Sequence, residues 1–177
     1  MKNYRFCFKS YLGDLSKKNP SLGGGSAICL VFCLGISLID KAINYSIGGV
    51  NKSKDFKLKK HLRQLNSLRQ KVYPYIDEDG KIFAIIMQAK GKKRVKYLKK
   101  SEAMVFKVGT ACLKAVSIAK GVESEVKKSI ISDFHIGLEF IKTAFLGCIF
   151  NLEANQKIFG LKSKYADNFR EVLEKWQ

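Results

Sequence analysis

Proline and tryptophan are almost missing from this chain: two prolines, Pro20 and Pro74, and one tryptophan, Trp176, in 177 residues. So little proline lets helices run long, because few backbone donors are lost and few turns are clashed open. With 46% hydrophobic residues the chain is not intrinsically disordered. Acid is scarce as well, with 15 acidic residues against 33 basic ones and a formal charge of +18. That surplus suits a polyanionic partner or an acidic ligand. Yet 28 of the 33 basic residues are lysine, as solvated helix faces also require, so charge alone leaves both readings open.

Metal-ligating types are few. Only His61 and His135 are present, and Cys7, Cys29, Cys33, Cys112 and Cys148 form no C-x-x-C pair. Zinc spacing is therefore lacking and no metal is expected. An odd cysteine count without a secretory signal fits a reducing, cytoplasmic setting. Long apolar runs are also lacking. The stretch 27–39 ends at Asp40-Lys41 after thirteen residues, short of the roughly 20 that span a bilayer. It predicts a buried helix and no membrane association.

What is present is the helical period, with no competing strand alternation of useful length. Residues 1–177 fit a single domain. Tyr4, Phe8, Tyr11, Leu12 and Leu15 mark a short first helix. A second, apolar on most faces and hence central, runs over about 27–47 and is closed by Gly48-Gly49. Leu58, Leu62, Leu65, Leu68 and Val72 mark a third, and Pro74 breaks the helix there. The period resumes through Ile76, Phe83 and Ile86. A basic connector over 90–100 then leads to a helix through Met104, Val108, Cys112, Ala115 and Ala119. Another starts at Ser132, and a last carries Ile158, Leu161, Tyr165, Phe169, Val172 and Trp176. The expected architecture is an all-α, multi-helix bundle.

Among the polar residues, Gly23-Gly24-Gly25-Ser26 stands at the entry to the central helix. Three glycines permit unusual backbone angles and close approach of a ligand. Ser26 is a natural N-cap, so the turn would present N–H groups at the positive end of a helix, suited to a carboxylate or phosphate. No P-loop ending is present, and on spacing alone a plain hinge between two helices is the better reading. Asp77-Glu78-Asp79 either favours a helix start after Pro74 or supplies a buried carboxylate for proton transfer. Ser132-Asp133 reads as a cap and first-turn acid, or as a ligand group. Asn151 and Asn155, four apart on one helix face, need hydrogen-bond partners at an apolar position.

In this order the chain resembles the cyclodeaminase/cyclohydrolase family of folate enzymes. The carrying segments are 15–27, ending Gly23-Gly24-Gly25-Ser26-Ala27; 76–83, with Asp77-Glu78-Asp79; Ser132-Asp133; and 147–155, with Asn151 and Asn155. Leu22, Lys41, Gly80, Ala115 and Lys127 depart from the family's pattern. The resemblance implies a helical homodimer that binds a tetrahydrofolate derivative in a cleft, with no cofactor apart from that substrate. It implies conversion of 5-formiminotetrahydrofolate to 5,10-methenyltetrahydrofolate with release of ammonia, or the related methenyltetrahydrofolate cyclohydrolase reaction. Asp79 would be the proton-transfer group. Gly23, Gly24, Gly25, Ser26, Asp133, Asn151 and Asn155 would bind substrate, Asp133 by accepting hydrogen bonds from the pterin. The basic residues Lys90, Lys92, Lys93, Arg94, Lys96, Lys99 and Lys100 read by default as a solvated loop; where that segment rims the cleft, it would draw in the folate glutamate tail, especially a polyglutamate. Two alternatives stay open: a non-catalytic folate-binding relative, and a basic helical nucleic-acid-binding protein. For the second, the basic segment offers one interleaved aromatic, Tyr97, and no RNA or DNA motif.

Overall fold

The computed structural model describes residues 4–18, 22–48, 51–160 and 165–174. Asn19, Pro20, Ser21, Gly49, Leu161 and Trp176, and the side chains of Tyr4 and Cys7, lie outside the described part. The described chain is helical throughout, with α1 (Tyr4–Leu15), α2 (Gly24–Ser46), α3 (Lys52–Val72), α4 (Tyr75–Gln88), α5 (Gly91–Lys120), α6 (Ile131–Phe159) and α7 (Tyr165–Glu174). Two 3₁₀ turns, Glu123–Glu125 and Lys128–Ile130, join α5 to α6.

Helix α2 is central because it has almost no polar face. Phe32, Ile36, Ile39, Ala42 and Ile43 have no exposed surface. Its main neighbour is α6, which buries Phe134, Ile141, Phe145, Cys148 and Ile149 against it. The two backbones meet at Gly35 and Gly137, where a Cβ on either glycine would come 2.7 Å from the carbonyl oxygen of the other. Only glycine allows that approach. By length and composition α2 and α6 could each cross a bilayer. In this fold their apolar residues pack largely against protein.

Helix α3 lays Leu58, Leu65 and Val72, spaced by seven, on the core and turns its lysines outward. Asn51 caps it by accepting from Lys54 N at 3.1 Å. The α2–α3 seam holds a buried acid, Asp40, whose Oδ2 lies 3.5 Å from Arg69 and whose Oδ1 has no hydrogen-bond partner. Helix α7 docks through Phe169, stacked on Phe106 and tilted against Phe145. A smaller apolar cluster of Ile82, Ile86, Leu98 and Met104 ties α4 to α5.

Three local expectations change. The segment 90–100 is no connector: only Ala89 and Lys90 separate α4 from α5, and residues 91–100 are the first turns of α5. Lysine and arginine are good helix formers, and Gly91, at φ 54°, supplies the break. Helix α6 starts at Ile131, after Ile130, with no side-chain cap, so Ser132 lies inside the first turn. Helix α2 starts at Gly24, with Gly23 in the cap position, so Ser26 is not its N-cap.

Candidate functional site

Gly23 is extended at φ −149° and ψ −162°, and has no side chain to satisfy the first N–H groups of α2. Asp79 of α4 does so instead: its Oδ2 accepts from Ser26 N at 3.0 Å. Ser26 is fully buried. Its hydroxyl donates to Ile76 O at 2.6 Å, and Tyr11 OH of α1 lies 3.0 Å from the same hydroxyl oxygen. Ser26 thus joins the start of α2 to the start of α4. Its side chain is sealed from any ligand.

Gly25 decides whether this contact can form. A Cβ there would overlap the Asp79 carboxylate. A Cβ on Gly23 or Gly24 would meet nothing, and neither residue has a positive φ. The triplet therefore works by leaving room for a carboxylate at a helix N-terminus, and not by an unusual backbone angle.

Asp79 is 8% exposed. Burial raises its pKa above the ordinary carboxylate value, and the Ser26 N–H pulls it partly back. Such a group can exchange a proton nearer neutrality than a solvated aspartate does. The thiols beneath the turn are not candidates for nucleophile: burial pushes Cys29 and Cys112 upward, away from the reactive thiolate.

Asp79 opens onto a cleft of about 710 Å³ between the start of α2, α4, the start of α5 and the C-terminal half of α6. Gly23, Gly24, Gly25, Asp79, Asn151 and Asn155 all line it. Asn155 Nδ2 donates to Asn151 Oδ1 at 3.2 Å, which orients both amides and leaves the Asn151 NH2 and the Asn155 carbonyl for a ligand. Phe83, Met87, Phe150 and Ile158 form apolar walls although each is substantially exposed. A flat, largely apolar ligand with a few polar edges fits such a space.

Asp133 is not part of this cleft. It pairs with Lys41 at 2.6 Å, near the other end of α2. Seventeen residues of helix separate Lys41 from Gly24, which at 1.5 Å per residue is about 25 Å. Lys127, another departure from the family pattern, sits near that end too and donates its backbone N–H to Ser46 Oγ at 2.9 Å. Of the basic residues over 90–100, only Arg94 lines the cleft, while Lys100 is engaged by Glu78 at 2.6 Å. His135 meets Glu123 at 2.9 Å on the surface. Sequence reasoning takes Arg94 only as one of seven basic residues over 90–100 and Phe83 only as a helix position, and it leaves Phe159 out. The available signal was that Arg94 is one of only five arginines in a lysine-rich chain.

No curated protein sequence matches this chain significantly. Among solved structures it is similar to a formiminotetrahydrofolate cyclodeaminase from Thermotoga maritima, with a TM-score of 0.80 at 16% identity. The superposition covers 99% of this chain and 87% of that one, and shows that the helical arrangement is shared. A family model described as formiminotransferase-cyclodeaminase matches residues 7–175. By that match over nearly its whole length, the chain belongs to the formiminotransferase-cyclodeaminase family.

Proposed function

We propose that this protein is a folate-dependent cyclodeaminase, which closes 5-formiminotetrahydrofolate to 5,10-methenyltetrahydrofolate with release of ammonia. The observation that carries the reading is the buried Asp79 carboxylate. It is held at the N-terminus of α2 by Ser26 N–H, has a raised pKa, and faces a cleft with Asn151 and Asn155.

The reaction starts from the protonated formimino group. N10 attacks the formimino carbon to give a tetrahedral centre that bears an amino group, with the extra proton on N10. Ionised Asp79 takes that proton and returns it to the amino group. The C–N bond to that nitrogen breaks and ammonia leaves, so the positive charge stays on the methenyl bridge. One carboxylate serves in turn as base and acid, and its negative charge favours the cationic product. The Ser26 N–H at the start of α2 keeps Asp79 oriented between the two steps. Asn151 and Asn155 supply polar contacts along the ligand's edge, and Phe83 and Phe150 supply apolar faces.

The related cyclohydrolase reaction uses the same cleft with water as nucleophile at the methenyl carbon, and Asp79 then removes a proton from water. Parallel assays with the formimino and methenyl substrates decide between them. Ammonia release with growth of the methenyl absorbance supports the cyclodeaminase. Loss of methenyl absorbance alone supports the cyclohydrolase. Inertness toward both, with folate still bound, would leave the non-catalytic relative.

We further propose a homodimer. Leu34 and Ile136 remain exposed beside the Gly35–Gly137 crossing of α2 and α6, and Phe150 extends the apolar strip along α6 toward the cleft.

A further inference from the structure

The seam between α3 and α5 opens into two hollows, of about 510 Å³ and about 430 Å³, that share no lining residue with the Asp79 cleft. Leu68 and Lys114 line both hollows, so the two form one groove. Residues 63–68 face 114–118 in the first and 68–72 face 106–114 in the second, which makes the two helices antiparallel. The floor of the groove is apolar, with Leu68, Val72, Ala111 and Ile118. Its rims are cationic, with Arg63 and Lys71 on α3 and Lys107 and Lys114 on α5.

No carboxylate lines this groove. Among the described residues, none of its four exposed cations has an ion-pair partner. Helix α3 carries eight lysines and arginines and α5 nine, against one acid each, Asp55 and Glu102. Asp55 accepts from Gly48 N instead. The spacing of the rim charges is also informative. Arg63 and Lys71 are eight residues apart, and Lys107 and Lys114 seven, so each pair is separated by about 10–12 Å, or two helical turns. A third helix laid between the rims would bring carboxylates two turns apart to each side and an apolar stripe to the floor.

We propose that the α3–α5 groove docks an acidic amphipathic helix of a different protein. Nucleic acid suits the charge but not the floor. Unpaired bases need free aromatic faces, and the Phe106 ring at one end of the groove is already stacked on Tyr165 and Phe169. A second copy of this chain offers no free helix of the required kind among the described residues. Its acidic helix is α7, with Asp167, Glu171 and Glu174, and the apolar side of α7 is engaged by Phe106 and Phe145.

Selection of a helical peptide-display library on the full chain tests this. Enriched peptides should carry apolar residues at three- and four-residue spacing, flanked by Asp or Glu. Fluorescence anisotropy then compares their affinity for wild type and two variants, each checked for folding by circular dichroism. Leu68→Ser removes a floor contact at unchanged charge and should weaken these peptides about tenfold. Lys107→Gln with Lys114→Gln changes only exposed side chains and should weaken them about fivefold, more at low salt. Enrichment of peptides without that pattern would overturn the proposal, as would affinities unchanged in the lysine variant. Oligoadenylate bound more tightly than the peptides, and weakened by the lysine variant but not by Leu68→Ser, would overturn it in favour of nucleic acid. A wild-type dimer that the lysine variant dissociates in sedimentation velocity would overturn it too, and would assign the groove to a second copy.

Discussion

At the scale of single residues, the site turns on one carboxylate and the space made for it. Asp79 meets a helix N-terminus whose own cap residue, Gly23, has no side chain. The contact therefore stabilises α2 while it positions a reactive group. Asp79→Asn keeps a hydrogen-bond acceptor for Ser26 N and removes the titrating group. Turnover should fall about 10²–10⁴-fold, the usual contribution of general acid–base catalysis, with folate affinity and helicity close to wild type. Because the pKa of Asp79 is raised and its ionised form accepts the N10 proton, wild-type rate should climb as pH rises through that value. The climb should be absent from the Asn variant's pH–rate profile. Full activity in that variant would assign Asp79 to capping alone. Gly25→Ala probes the space itself. The added methyl displaces the Asp79 carboxylate, so kcat should drop at least tenfold, on the order of 1.4 kcal/mol, in a protein whose circular dichroism is unchanged. Gly24→Ala, whose Cβ meets no protein atom, is the matched control for folding.

At the scale of elements, the α2–α3 seam carries a pH dependence distinct from the site's. Burial pushes Asp40 up to about 6, and the nearby Arg69 guanidinium opposes the rise. The folded state thus binds this proton more tightly than the unfolded chain, whose ordinary value is 3.8. The stability this provides is full below about pH 4 and is lost as pH rises through about 6. A shift of about two units corresponds to on the order of 2–3 kcal/mol. In urea titrations, Asp40→Asn should gain on wild type by that order between about pH 4 and about pH 7. A difference between the two proteins that does not change with pH would show that Asp40 titrates as an ordinary carboxylate. Helix boundaries belong to this scale as well. A run of lysines and arginines such as 90–100 has the composition of a solvated loop, yet those side chains favour helix once Gly91 has turned the chain.

At the scale of the whole molecule, the α2–α6 pair leaves Leu34 and Ile136 exposed. If a second copy covers them, Leu34→Glu with Ile136→Glu should convert a dimer to a folded monomer in sedimentation velocity at micromolar protein. A wild type that sediments only as monomer would remove the dimer from the proposal.

The helical class was legible before any coordinates, because a 3.6-residue period recurs in nearly every segment and prolines are almost absent. Also legible, through the resemblance, was that the glycine turn, Asp79, Asn151 and Asn155 belong together. Three matters depended on packing. Ser26 has the side chain of a cap, but the chain enters α2 two residues earlier, and Ser26 is buried against Ile76 and Tyr11. Asp133 was expected to share a cleft with Asp79, but the length of α2 sets the two ends of the bundle about 25 Å apart, and Asp133 meets Lys41 instead. Arg94 was one basic residue in a run of seven until the first turn of α5 placed it alone on Phe159. Periodicity and residue type act along the chain and can be read from it. Which charges share a cavity depends on how helices of given length cross, and that is decided only where side chains from distant segments compete for the same space.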